Sequence, residues 1–178
     1  MTLLVVGIEV PDLPDDASVG ELASALNENV GSYVSFVISF LVIGRYWIAH
    51  HSFFALLREM DRRLIGLNLI YLLFIAFLPF PTALLGNFFE NPLAIAIYAP
   101  SVAIVSGMEV VLFRHAYRAG LTTQKIPAPV YRWELLLSLS PVVTFLLSIP
   151  VAFADTTLAV LVWFLAVPVQ IAAERRKP

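Results

Sequence analysis

Five long apolar runs, at residues 30–52, 64–86, 93–113, 133–153 and 156–172, alternate with short polar connections. A helix needs about 20 apolar residues to cross the hydrocarbon core of a bilayer. Each run therefore predicts one span, the last with help from tilt or local bilayer thinning. A shorter apolar stretch, MTLLVVGIEV at 1–10, stops at Pro11 and reads as the second half of a helix whose start lies before Met1. The pattern predicts an all-α polytopic membrane helical bundle. It has five full transmembrane helices plus the C-terminal half of a first helix, in one transmembrane domain over residues 1–178, without internal repeats.

Between the half-span and the first full span, residues 11–29 hold Asp12, Asp15, Asp16, Glu21 and Glu28 and no lysine or arginine. A solvated acidic loop is the simpler expectation. The alternative is a short helix that starts at Ser18, because Ser18 and Glu21 have the spacing of a capping box and Leu22 and Leu26 follow. Pro79 and Pro81, Pro141 and Pro150, and Pro168 punctuate the later spans, where each removes a backbone donor and can kink a helix.

Composition agrees with the pattern. The chain is 60% hydrophobic and 13% charged, with a mean hydropathy of +0.86, against about 45–50% apolar and about 25% charged in a soluble domain. With no cysteine, disulfides, thiolate metal sites and cysteine nucleophiles are excluded, and a net charge of −2 offers no basic surface to nucleic acid. The first residues lack the basic region and small-residue cleavage site of a signal peptide.

Charge placement then orients the bundle. Arg58, Arg62 and Arg63 fall in one connection, Arg114, Arg118, Lys125 and Arg132 in a second, and Arg175, Arg176 and Lys177 in the tail. If the spans alternate, these lie on one side, opposite the 11–29 segment, Glu90 and Asp155. The positive-inside rule places the basic side and the C-terminus in the cytoplasm of a cell-membrane protein.

Candidate chemistry is sparse. The stretch from Trp47 to Thr82 joins two spans through a basic turn and holds Trp47, His50, His51 and Asn68. Trp47 and His50 are three residues apart and share a helix face, while Asn68 sits at a similar depth on the next span. Arg45 and Glu109 are the ionisable residues most clearly inside spans, where a mid-bilayer charge costs about 2.5–3.5 kcal/mol. Both have the cytoplasmic side within snorkelling reach, and a cross-helix ion pair between them is the alternative. His50, His51, Glu59, Asp61, Glu109 and His115 all fall toward that side. His50 and His51, however, project about 100° apart on a helix, and no H-x-x-x-H or H-E-x-x-H spacing occurs, so no metal site and no cofactor are expected. No nucleophile–base constellation is visible, and an enzyme is not expected.

The order TLLVVGIEVP, then SYVSFVISFLVIGRYWIAHHSFF, a basic turn and NLIYLLFIAFLPFPTALLG resembles the bacterial branch of the transmembrane protein 175 potassium channel family. The resemblance is strong over about residues 1–90. It implies a six-helix subunit of a homotetramer around a pore lined by the first helix, passing K⁺ down its gradient. In that family the first helix opens with Arg-x-x-x-Phe-Ser-Asp, which this sequence lacks, as it lacks the isoleucine that narrows the pore. Carried over, Thr2 belongs to a threonine ring linked to selectivity, and Leu3 and Val6 continue a hydrophobic constriction. All three can share one helical face; an apolar ring can gate by dewetting and a hydroxyl ring can replace part of an ion's hydration. The resemblance also implies that Trp47, His50 and Asn68 hydrogen-bond to the Phe-Ser-Asp motif. Without that motif they are expected to lack partners and to leave the chain less stable than a full-length relative. The alternative is a non-conducting multi-pass membrane protein or a small-molecule transporter subunit.

Overall fold

The computed structural model describes residues 10–163. Thr2, Leu3 and Val6, the half-span at 1–9, the second half of the last span and the basic tail lie outside the described residues.

The 11–29 segment is not a loop throughout. Helix α1 (Val19–Glu28) forms behind a complete capping box: the Ser18 hydroxyl accepts from the Glu21 backbone N–H at 3.3 Å, and the Glu21 carboxylate accepts from the Ser18 N–H at 2.8 Å. These bonds hold the Glu21 carboxyl below the usual glutamate range. Local capping satisfies the end of a helix that buries no residue.

Helix α2 (Val30–Ala55) is 26 residues long, about 39 Å at the α-helical rise and enough to cross a bilayer. Asp61 caps α3 (Arg62–Phe77) by accepting from the Leu64 N–H at 2.6 Å. The span predicted at 64–86 continues as α4 (Pro79–Asn87) after a break at Leu78. Pro79 and Pro81 cause that break, since neither can donate to the preceding turn. The Leu78 N–H shares the Phe74 and Ile75 carbonyls at 3.2 and 3.3 Å, and both the N–H and the hydroxyl of Thr82 turn back to the Leu78 carbonyl. Asn91 caps α5 (Pro92–Ala119), which ends at Gly120 with φ +66°, the left-handed closure that glycine makes without steric cost. Helix α6 (Ala128–Ala152) carries Pro141 and Pro150 inside it, and residues 156–163 open a further helical stretch.

Three stretches, Arg62–Asn87, Pro92–Ala119 and Ala128–Ala152, are apolar and long enough to cross a membrane. The chain is an all-α, multi-pass membrane protein, and its helices overrun the predicted spans at the polar ends.

Helix α5 is the centre of the bundle, packed on α3, α4 and α6, while α2 lies mainly against α4. Its buried face mixes small residues (Ala94, Ala99, Ser101, Ala103, Ser106) with Ile95, Tyr98, Val102, Val105 and Leu112. Small side chains let helix backbones approach where lipid gives no hydrophobic drive to association. Ile43 and Tyr46 of α2, Leu64 and Tyr71 of α3 and Leu78 complete this core. By contrast, Leu136, Val143, Leu146 and Leu147 of α6 are exposed, as on a lipid-facing helix.

The α2–α3 turn and the α5–α6 loop meet at one end of the bundle. The Arg58 N–H donates to the Leu121 carbonyl and the Thr123 N–H to the Leu56 carbonyl, both at 2.8 Å. Two of the three basic segments are thereby on the same side.

Candidate functional site

Three helices each turn one polar stripe toward the others. Tyr46 and His50 are four residues apart on α2, Asn68 and Tyr71 three apart on α3, and Val102, Ser106 and Glu109 follow the same spacing on α5. At each level the side chains meet. The Tyr46 hydroxyl bonds the Ser106 hydroxyl at 2.8 Å and lies 3.4 Å from the Val102 carbonyl. The Tyr71 hydroxyl donates to Glu109 Oε1 at 3.2 Å and lies 3.4 Å from the Tyr46 carbonyl. Tyr71 is 1% exposed and Ser106 1%, so each needs an internal partner in a medium without water.

His50 and Asn68 satisfy each other. His50 Nε2 is 2.8 Å from Asn68 Oδ1; the amide oxygen can only accept, so Nε2 carries the proton. The ring packs nearly parallel to Tyr71 at 5.5 Å and stacks on Phe54 at 4.3 Å. The expectation that both would lack partners is therefore corrected: the Asn68 amide oxygen accepts a hydrogen bond from the His50 Nε2–H directly. Trp47 stands apart from this bond. Its ring stacks on His50 at 5.9 Å, it is 58% exposed, and it hydrogen-bonds to no described residue.

Arg45 and Glu109 face one cavity without forming an ion pair. Depth brings them to the same level, but the Glu109 carboxylate is engaged by Tyr71 instead. The remaining histidine–carboxylate contact is at the turn. His115 Nε2 donates to both oxygens of Asp61, at 2.9 and 3.0 Å, tying the start of α3 to the end of α5. The Asp61 carboxyl is held below its ordinary range, first by the Leu64 N–H and then by His115. Among the described residues, His50, His51, Glu59, Asp61, Glu109 and His115 do not converge on a common point.

Tyr46, Tyr71 and Ser106 were not singled out by sequence reasoning, which followed charge and histidine. Their signal was positional: Tyr46 is one helical turn from His50, and Tyr71 is one turn from Asn68.

The profile of the family described as endosomal/lysosomal potassium channel TMEM175 matches residues 1–79. A potassium channel of Streptomyces collinus is 34% identical over 137 residues, covering 74% of this chain and 65% of that protein. One of Chamaesiphon minutus is 36% identical over 125 residues, covering 67% of this chain and 60% of that protein. The chain thus spans somewhat under two thirds of the length of these relatives. The crystal structure described as a lysosomal potassium-selective channel TMEM175 homolog from Chamaesiphon minutus superposes with a TM-score of 0.66 at 27% identity, over 99% of this chain and 89% of that one.

Proposed function

We propose that the chain, whose first 79 residues match the TMEM175 family profile, is a member of that family and the subunit of a potassium channel. Four copies surround a pore lined by the first helix, in the cell membrane with the C-terminus in the cytoplasm. The similarity of its first 79 residues to the family profile carries this reading, because that region includes Thr2, Leu3 and Val6 together with all of α2 and α3. Thr2 contributes a ring of hydroxyls and Leu3 and Val6 contribute apolar rings, so that ion passage depends on wetting of the apolar constriction and partial replacement of hydration at the threonines. The polar contacts of α2, α3 and α5 have a supporting role. Side-chain bonds at 2.8 Å between α2 and α5 and between α2 and α3 fix the register of these three helices. No step of this reading needs a resident cofactor; K⁺ is the permeant ion.

Single-channel recording in planar bilayers tests the assignment of the pore face. Thr2→Val is expected to lower K⁺ over Na⁺ preference while leaving a conducting pore, and Val6→Ser to raise conductance by easing wetting. Unchanged selectivity and conductance in both variants would remove these residues from the pore. A chain that stays silent in all forms supports the non-conducting alternative.

A further inference from the structure

A cavity of about 1050 Å³ lies between α2, α5, α6 and the α5–α6 loop. It exists because α5 packs on α6, α3 and α4, whereas α2 leans chiefly on α4, leaving a gap between α2 and α6. Its walls mix apolar side chains, among them Phe53, Leu112, Phe113 and Leu137, with polar ones, and the exposed Lys125 of the α5–α6 loop is part of the lining. Arg45 is about 15 Å from the α2 terminus at Ala55, and Glu109 is about 15 Å from the α5 terminus at Ala119. Both charges therefore sit at the same depth, well inside the membrane-crossing part of their helices.

Neither charge is fully served. Among the described residues Arg45 has no hydrogen bond or ion pair, and Glu109 receives one hydrogen bond, from Tyr71 to Oε1, leaving Oε2 without a donor. They line one cavity and attract each other across it without a direct salt-bridge contact. Charges at this depth require compensation, and an amphipathic cavity that carries Arg45 and Glu109 at one level, with Lys125 and Glu134 also in its lining, suits a ligand that carries both complementary charges and an apolar part.

We propose that the cavity binds a membrane phospholipid with a phosphoethanolamine head, its phosphate at Arg45 and its primary ammonium at Glu109. The gap between α2 and α6 admits the acyl chains from the bilayer, and Lys125 adds attraction for the phosphate on approach. A phosphocholine head places methyl groups where the carboxylate needs a donor, and a phosphoglycerol head brings no positive charge to it. The site stands whether or not the pore conducts.

Native mass spectrometry of the detergent-purified chain, delipidated and then offered phosphatidylethanolamine, phosphatidylcholine or phosphatidylglycerol at equal concentration, tests this directly. The first lipid is expected to be retained at one per subunit, about tenfold better than the other two. Arg45→Gln and Glu109→Gln should each abolish that preference; glutamine keeps an acceptor for Tyr71, so the second variant preserves the helix contact. Lys125→Gln, on an exposed loop, should lower retention while keeping the order of the lipids. Equal retention of all three lipids, or a preference that survives in both Arg45→Gln and Glu109→Gln, overturns the proposal. So does thermal stabilisation by soluble phosphoethanolamine with no preference among the lipids, which would move the ligand from the bilayer to solution.

Discussion

The bond between His50 and Asn68 is open to a double-mutant cycle. At 2.8 Å it joins α2 to α3, and both residues are half-buried among apolar and aromatic side chains. Asn68→Leu removes the acceptor and strands the Nε2 proton; His50→Phe keeps a ring against Tyr71 and Phe54 and strands the amide. A buried group left without its partner costs about 1–3 kcal/mol. Measured side-chain hydrogen bonds between membrane helices average about 0.6 and reach about 1.7 kcal/mol. Short geometry and a ring packed against Tyr71 and Phe54 place this bond in the upper half of that range, about 1–1.5 kcal/mol. Each single variant should therefore unfold more easily, and the double variant should cost less than the two singles combined by about that amount. Reversible unfolding in mixed micelles, followed by far-UV circular dichroism against the mole fraction of denaturing detergent, gives the four stabilities. Additivity within about 0.3–0.5 kcal/mol would refute the claim that the two side chains depend on each other.

Other outcomes follow from single contacts. Tyr46→Phe should cost only about 0.6 kcal/mol, because the Ser106 hydroxyl can turn back to the Val102 carbonyl one turn away; a loss several times larger in the same unfolding assay would contradict that rescue. Gly120→Ala should destabilise by about 1–2 kcal/mol through its left-handed φ alone, since a Cβ there meets nothing, and Gly120→Asn should recover much of the loss. The Asp61 carboxyl is lowered by the α3 cap and His115, so its contribution is present above the unfolded value, near pH 4, and fades as pH falls through the lower folded value. Wild type and Asp61→Asn should thus differ in melting temperature at neutral pH and converge in acid, and a gap that widens in acid would reverse the sign.

Much of the fold was legible because a bilayer imposes simple rules. Long apolar runs marked the helices, and Pro79 and Pro81 marked the place where α3 gives way to α4. The 11–29 segment was harder: its acidity argued for a loop, yet the paired Ser18 and Glu21 bonds outweigh composition at a helix start. What depth alone could not give was direction around a helix. Arg45 and Glu109 share a level, which left their pairing open as an alternative to snorkelling, but the sequence does not show that Tyr71 reaches Glu109 from α3. Asn68 likewise belonged at the level of His50, while their direct bond depended on the approach of α3 to α2. Tyr46 and Tyr71 carry no charge to draw notice in the sequence, and their importance rests on hydroxyl contacts with Ser106 and Glu109 that only the fold brings about.

Potassium efflux from proteoliposomes containing the purified 178-residue chain, followed without valinomycin down an outward K⁺ gradient, bears most directly on the channel assignment. The account predicts K⁺ efflux that scales with protein density and is reduced when Na⁺ replaces K⁺. Vesicles that hold correctly folded protein and release no more K⁺ than empty ones would contradict it.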